Sequence, residues 1–479
     1  MSVNPLAPSW LQHPDDANAL APSVWSQGSA RGSDGELKIA GVSAVAIAAE
    51  FGTPVYVVDE ADVRARARVI RESFDAEFSR IGSSARVYYA GKAFLSTQVA
   101  AWMIEDGLNI DVCSGGELAV ALAGGAPAER LGLHGNNKSI AEIDRAVGVG
   151  IGAIVLDSLI EIERVAEAAV RHGRVQPVRL RVNSGVHAHT HEYLATARED
   201  QKFGIPLADV VATVALIRSH DSLEFLGLHS HIGSQIFESE GFAEAASRLF
   251  AVHAELLEGG PVPELNLGGG FGIAYTTADD ALPIPELARR LADIVDAAAA
   301  ERGIPVPVIA IEPGRSIIGP STTTLYTVGT IKDVVVSLPE VSTSSTGPVG
   351  SAGASAVRKY VSVDGGMSDN IRPALYAADY SARLANRASA ADPALVRVAG
   401  KHCESGDILV HADYLPGDVE PGDLLAIPAT GAYGWAMASN YNYLARPPVV
   451  AVKTGRARII VRGETEADLL ARDAGLETE

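Results

Sequence analysis

The sequence predicts an α/β fold: a (β/α)8 TIM-like barrel with a second, β-rich domain of sandwich or barrel type. Three observations carry this reading. Eight short, β-prone apolar runs recur between Arg86 and Ile311, mostly separated by Ala-rich stretches of helical length. Strands alternating with helices indicate βαβ units and a parallel sheet. After Ser321 that alternation stops, and short strands follow one another with Pro/Gly turns between them.

In chain order, residues 1–54 are rich in Pro, Ser, Gly and Ala, and read as irregular structure with a short helix near 40–51. From Glu60 to Phe78 apolar residues fall at Val63, Ala67, Ile70, Phe74 and Phe78, a helical stripe. The eight strand candidates are Arg86–Ala90, Asn109–Val112, Leu131–His134, Ala153–Asp157, Val178–Val182, Phe225–His229, Glu264–Leu267 and Pro307–Ile311. Helical patterns such as Ser158–Arg171 and Gly241–Glu258 lie between them. Eight such units fit a closed barrel better than an open doubly wound sheet, which periodicity alone does not exclude. The second domain is predicted from Tyr326–Val336, Lys359–Val363, Asp407–Ala412, Leu424–Ile427, Val449–Val452 and Ala457–Val461. Ser342–Ser355 reads as a surface loop without chemistry, and Glu464–Glu479 as a charged, helical tail. The expected division is 1–58 as an N-terminal segment joining the β-rich domain, 59–320 as the barrel, and 321–479 as the C-terminal β-rich domain.

With 47% hydrophobic and 20% charged residues the chain can bury a large core. Two cysteines exclude a disulfide scaffold or a multi-cysteine metal cluster. A net charge of −20 argues against nucleic acid as a partner, because phosphate neutralisation needs clustered Lys and Arg. A local basic or backbone site for a small anion remains compatible with it. Neither a basic leader with an apolar core nor a run of about 20 apolar residues is present, so a cytoplasmic protein without a membrane partner is expected.

Chemistry in such barrels sits in the loops after the strands. Here those loops are polar: Gly91-Lys92, Asp111-Val112-Cys113, Asp157, Arg181-Val182-Asn183, His229-Ser230-His231, Gly268-Gly269-Gly270 and Glu312-Pro313-Gly314-Arg315. Phosphate is commonly held after the seventh and eighth strands. Three successive glycines there, with Gly314 beside them, let backbone N–H groups approach an anion. A tight turn is the plain alternative. Lys92 ends an apolar strand, where partial desolvation would depress its pKa and make it an imine-forming amine. A phosphate cradle plus an interior lysine suggests pyridoxal 5'-phosphate, with Glu312 as the carboxylate facing the ring nitrogen and His231 against the ring face.

Four segments resemble the fold type III, alanine-racemase-like decarboxylases: Tyr88–Ala93, His229–Gln235, Asn266–Gly272 and Glu312–Arg315. Four more, Asp364–Met367, Ile371–Tyr376, Cys403–Asp407 and Gly431–Tyr433, resemble the diaminopimelate decarboxylase family in particular. The likeness runs in order from about residue 40 to residue 450. It implies decarboxylation of meso-2,6-diaminopimelate, at its D-configured centre, to L-lysine and CO2, the last step of lysine biosynthesis by that route. It implies Lys92 as the lysine joined to the cofactor. Cofactor contacts are implied at His231, Ser234, Gly269, Gly270, Glu312, Gly314, Arg315 and Tyr433. Arg315, Arg372, Tyr376, Glu404 and Tyr433 become substrate residues, and Cys403 the proton donor. It also implies a homodimer whose Cys403–Glu404 loop serves the neighbouring subunit. Two guanidiniums fit a substrate with a second carboxylate, and Glu404 its distal ammonium.

Three rival readings frame the expectations. His187, His189 and His191, with His229 and His231, have zinc-ligand spacing, but no metal is expected. A related decarboxylase for another basic amino acid or a carboxylated polyamine shares most of these motifs. A non-catalytic pyridoxal-phosphate-binding homologue would be expected to lack Lys92 or Cys403, and both are present. Asp111 and Glu117 either support His231 and the cofactor or cap their loop. Asn136 and Lys138 either line the pocket or lie on a surface loop.

Overall fold

The computed structural model of the chain describes residues 4–186, 202–231, 233–237, 240–338 and 355–475. The three histidines at 187, 189 and 191, the Ser/Gly stretch 342–354 and the last residues of the tail lie outside them. The described chain forms two compact units. One contains Asp62–Ile273 and Asp280–Gly319; the other contains Met1–Ala61, Ala274–Asp279 and Pro320–Glu479.

The first unit is a closed barrel of eight parallel strands: Ala85–Ala90, Asn109–Val112, Leu131–Leu133, Ala153–Leu156, Gln176–Asn183, Leu223–His229, Glu264–Asn266 and Val308–Ile311. Closure is made by the last strand on the first, with Ile309 opposite Ala85. The fourth strand pairs with the fifth, Val155 opposite Arg179. An open doubly wound sheet would leave two edges, and this ring leaves none. All eight predicted strands are present. Three predicted C-terminal ends run one residue too far: His134, Asp157 and Leu267 lie just beyond their strands, although His134 and Leu267 still donate their N–H to Val112 and Ala310 of the neighbouring strands.

Helices follow the strands because polar caps stand at the turns. Ser96, Ser114 and Ser139 accept N–H bonds from Val99, Glu117 and Glu142, each opening a helix. Ser139 and Glu142 form a reciprocal capping box. That helix, Ile140–Val149, ends on Gly150 in the left-handed region, φ 78. The next, Leu159–Arg171, buries Ile162, Val165, Ala166, Ala168 and Ala169 against the ring and leaves the charged face outside. The Glu60–Phe78 stripe extends to Arg80, and Val63, Ala67, Ile70, Phe74 and Phe78 are all buried.

The barrel interior carries an ion pair: Arg179 Nε donates to Glu264 and its Nη2 to the Tyr88 hydroxyl at 2.7 Å, all three side chains being buried. Such a pair is tolerated only because both partners are bonded.

The second unit holds a sheet in the order Ile408–Pro416, Pro393–Ala399, Ser355–Val363, Thr322–Ser337, Val55–Asp59, Val449–Lys453, Arg456–Val461, with Leu424–Ile427 and Arg383–Leu384 attached. Sequence patterning misses Val55–Asp59, Pro393–Ala399 and Arg383–Leu384. Val55–Asp59 is buried at every position and shows no alternation, which is why period two does not reveal it. It lies between Thr322–Ser337 and Val449–Lys453. The expectation of irregular structure before residue 40 also needs correction. Ser29–Arg31, Leu37–Ile39 and Val42–Ser43 form a small antiparallel sheet, too short for periodicity to register. Val24, Trp25, Leu37 and Ile39 enter the core of this unit with Val55, Val57, Leu325 and Val450. The charged tail is helical over Glu466–Leu470.

Among the described residues no helix is long and apolar enough to cross a membrane.

The Phe74 ring stacks on Phe78 and on Phe271, with centroids 6.1 and 6.0 Å away, and is fully buried. Phe74→Ala should lower the unfolding free energy by about 3–5 kcal/mol through the cavity it leaves. Denaturant titration reads this, and a loss under about 1 kcal/mol would contradict the packing described.

Candidate active site in the barrel

The carboxyl ends of the strands open on one cavity of about 270 Å³. Lys92, Asp111, Cys113, His134, Asn136, Arg181, Phe203, His229, His231 and Glu312 line it. Of the residues the sequence singles out, Lys92, His231 and Glu312 therefore converge.

Glu312 is at the centre. Its Oε1 accepts the Asn266 amide at 2.8 Å, lies 3.0 Å from His229 Nε2 and 3.6 Å from His134 Nε2. Burial alone would raise this carboxyl; His229 and then His134 outweigh it and hold the group well below the usual carboxylate range. Asp111, 3.1 Å from His134, moves the other way. Its own burial, then the Glu312 charge, push it well above that range. Two carboxyls share the cavity and their pKa values are driven apart, Glu312 down and Asp111 up.

The three histidines are all pushed down by burial, His134 to about 4. His231 Nδ1 accepts the Gly269 N–H at 3.2 Å, which fixes the ring with that nitrogen unprotonated.

The glycine run is required by close packing, beyond the needs of a turn. A Cβ on Gly269 would stand 2.1 Å from the Glu312 carbonyl oxygen, and one on Gly270 2.3 Å from that of Gly233. Gly268 and Gly270 also take φ +70 and +100. Asn266 Oδ1 accepts the Gly268 N–H at 2.8 Å, so one side chain orients both the Gly run and Glu312. At Gly314 a Cβ would stand 2.9 Å from the Ala90 carbonyl oxygen. Arg315 is buried and its Nη2 donates to Ser234 Oγ at 2.9 Å.

One expectation is corrected here. Lys92 lines the cavity but is exposed at its mouth rather than desolvated, because it rides a one-turn 3-10 segment, Gly91–Ala93, beyond the strand end. Several open readings resolve. Asp111 faces His134 rather than supporting His231, and Glu117 caps its loop by accepting the Cys113 N–H at 2.7 Å. Asn136 lines the cavity. Lys138 does neither of the things expected of it: it is buried, with Nζ 3.1 Å from Glu161.

Sequence reasoning missed His134, Asn266 and the Arg181–Phe203 pair, whose guanidinium sits 4.1 Å from the ring centroid. The first two stand at strand ends inside polar motifs, which was the available signal. Phe203 is far from Arg181 in the sequence pattern and gave none.

Would a pyridoxal phosphate fit these residues? Both Asp111 oxygens, His134 Nε2 and both His229 nitrogens are buried without an aligned hydrogen bond. That is an incomplete polar cluster facing a cavity of ligand size. A bare-backbone cradle and a lysine at the mouth complete the set, so the residues fit. The same His134, His229 and Glu312 atoms lie within 4.8 Å of one another, a spacing that could also hold a metal ion. His231 is outside that group.

In the second unit, Arg372 is buried, bonded to the Tyr380 hydroxyl, with its guanidinium 4.3 Å from the Tyr275 ring centroid. Tyr376 is half-buried; Cys403 and Glu404 are exposed. Tyr433 is half-buried in the left-handed region, φ 60.

A family profile described as "Pyridoxal-dependent decarboxylase, pyridoxal binding domain" matches residues 60–319. The chain is 50% identical to a diaminopimelate decarboxylase of Mycobacterium leprae over 473 residues, 97% of this chain and 95% of that one. It is 49% identical to that of Mycobacterium tuberculosis over 460 residues, 94% and 98% of the two chains. Among solved structures it resembles the diaminopimelate decarboxylase of M. jannaschii in co-complex with L-lysine. There the TM-score is 0.81 at 30% identity, with 94% and 98% of the two chains covered.

Acid should destabilise the barrel in a defined window. His134 binds a proton near pH 6.5 when unfolded and only at about 4 when folded. Stability from this group is therefore complete above 6.5 and falls as the pH drops from 6.5 towards 4. His134→Gln should flatten melting temperature against pH across that window; a slope equal to the parent's would refute the assignment.

Proposed function

Since the chain belongs to the diaminopimelate decarboxylase family of pyridoxal-dependent decarboxylases, we propose a division of labour among its residues. The reaction is decarboxylation of meso-2,6-diaminopimelate to L-lysine and CO2, with pyridoxal 5'-phosphate as cofactor. The observation that carries the assignment of roles is Glu312, a buried anionic carboxylate pinned by Asn266 and His229 on the wall that Lys92 also lines.

When bound, the cofactor supplies an aldehyde that takes up the substrate amine and a protonated ring that accepts the electron pair left at Cα as CO2 departs. Lys92 is the amine that holds the aldehyde between turnovers. Glu312 keeps a proton on the ring nitrogen, and its low pKa leaves it the anion that this needs. His231, whose Nδ1 is held by the Gly269 N–H, would pack against the face of the ring. Gly270 and Gly314 would offer N–H groups and Ser234 its O–H to the phosphate, while Gly269, whose N–H is taken by His231, leaves room for its approach. Arg315 orients Ser234 by its 2.9 Å bond. Tyr433 adds a contact to phosphate and substrate.

For the substrate, Arg315 and Arg372 receive carboxylates, with Tyr376 beside them, and Glu404 receives the distal ammonium. Arg372 suits this because its guanidinium plane is already fixed by Tyr275 and Tyr380, so little ordering is lost on binding. Cys403 returns a proton to Cα. The exposure of Cys403 and Glu404 supports a homodimer in which this loop serves the neighbouring subunit. A cytoplasmic setting is part of the same proposal.

Lys92→Ala should abolish both lysine formation and the visible absorbance of the purified protein; lysine formation at the parent rate would remove the basis of the mechanism. In a substrate panel, diaminopimelate should be turned over far faster than ornithine, arginine, lysine or carboxylated polyamines. Glu404→Gln should lower kcat/KM for diaminopimelate by roughly 10- to 100-fold, the worth of one charge-assisted hydrogen bond.

A further inference from the structure

The Cys403 loop has an unusual root. Four consecutive residues, Cys403, Glu404, Ser405 and Gly406, are exposed, while the two that flank them, His402 and Asp407, are buried. Asp407 closes the loop with its carboxylate: Oδ2 accepts the His402 N–H at 2.7 Å and Oδ1 the Met367 N–H at 2.6 Å. Backbone bonds continue the seam, Lys401 N–H to Gly365 O at 2.9 Å and Gly400 N–H to Asp407 O at 3.0 Å.

His402 is fixed on three sides. Its Nε2 lies 2.9 Å from Ser368 Oγ and accepts the Ser368 N–H at 3.3 Å. Its Nδ1 lies 3.1 Å from Asn442 Oδ1. An amide oxygen only accepts, so Nδ1 carries the proton and Nε2 receives from Ser368; the partners admit one neutral tautomer. The ring stacks on Tyr441 at 5.3 Å and 20°. Asn442 itself sits at φ +52, a conformation that asparagine tolerates better than most residues. A histidine used only as filler would not need both nitrogens and one face matched.

We propose that His402 is a positioning residue for the reaction: it locks the root of the exposed loop so that Cys403 Sγ is presented in one place. This rests on the reading of Cys403 as the proton donor. In that step the S–H bond breaks and its proton forms a C–H bond with the electron pair left at Cα by CO2. The S–H pair stays on sulfur, and the exposed thiolate is reprotonated from water. Proton return is a geometric event, and a misplacement of about 1 Å can cost about 100-fold in rate. If the proton were instead taken up at the cofactor's former aldehyde carbon, CO2 would still be lost, but hydrolysis by water would leave the amino group on the cofactor and release a carbonyl compound in place of lysine.

The test uses the full-length holoenzyme, measuring CO2 and lysine in parallel for His402→Ala, His402→Gln, Ser368→Ala and Cys403→Ala. His402→Ala should reduce kcat for lysine by roughly 10- to 100-fold. KM should be little changed, the cofactor spectrum parent-like, and lysine per CO2 below parity. His402→Gln, whose amide can still reach Ser368, should recover part of the loss. Should His402→Ala fail to fold, Ser368→Ala carries the test, with a smaller loss in the same two readouts. A parent-like kcat and parity ratio in a folded His402→Ala, or in Ser368→Ala if that variant must stand in, overturns the inference. If Cys403→Ala is slow while the His402 variants are normal, the positioning role falls and the donor reading stands. If Cys403→Ala keeps parent kcat and parity, the donor reading falls and takes the inference with it.

Discussion

A negative charge buried in the mouth of the barrel governs the site. Glu312 cannot be solvated there, so its charge survives only because Asn266 and His229 reach it. That requirement propagates outward. Asn266 must stand on the neighbouring strand, Glu264–Asn266, in register with the eighth, where it is opposite Ala310. Its other amide atom then ties the Gly268 N–H and so shapes the glycine run. Burial lowers the pKa of His229 and His134, while their attraction to Glu312 works the other way. The pKa of Asp111 is driven up, by its own burial and then by the Glu312 charge. Ring closure is what allows one carboxylate to be touched by residues from several strands.

An acidic chain binding an anionic cofactor poses no contradiction. The net charge of −20 is a property of the whole surface. The phosphate proposal needs only local donors, and backbone N–H groups at glycines supply them without any side-chain charge. Arg315, beside the glycine run in the proposed cradle, is bonded to Ser234. In this arrangement side chains orient and the backbone binds.

The second unit works by a different economy. Arg372 is held between tyrosines, and the loop bearing Cys403 is exposed at its tip and buried at its root. A rigid root under an accessible tip is what a group offered outward requires: freedom at the base would spread the thiol over many positions, and burial of the tip would hide it. Asp407 and His402 supply that root through backbone and side-chain bonds respectively.

The sequence by itself determined the eight-fold alternation, the polar strand ends and the order of the motifs, because these are local patterns with fixed periods. It put Lys92, Glu312 and His231 at strand ends, and these three line one cavity. It could not see Val55–Asp59, whose two buried faces erase alternation, nor the short strands before residue 44, which end before a period repeats. Nor could it assign charge states. Asp111 and Glu312 are both acids at strand ends, and which way each pKa moves depends on burial and on partners such as His229, distant in the chain and brought close only when the ring closes. His402 carries no local signal; folding sets Ser368, Tyr441 and Asn442 around it. Local residue pattern decides which elements form; partners contributed from remote segments decide what each polar side chain can do.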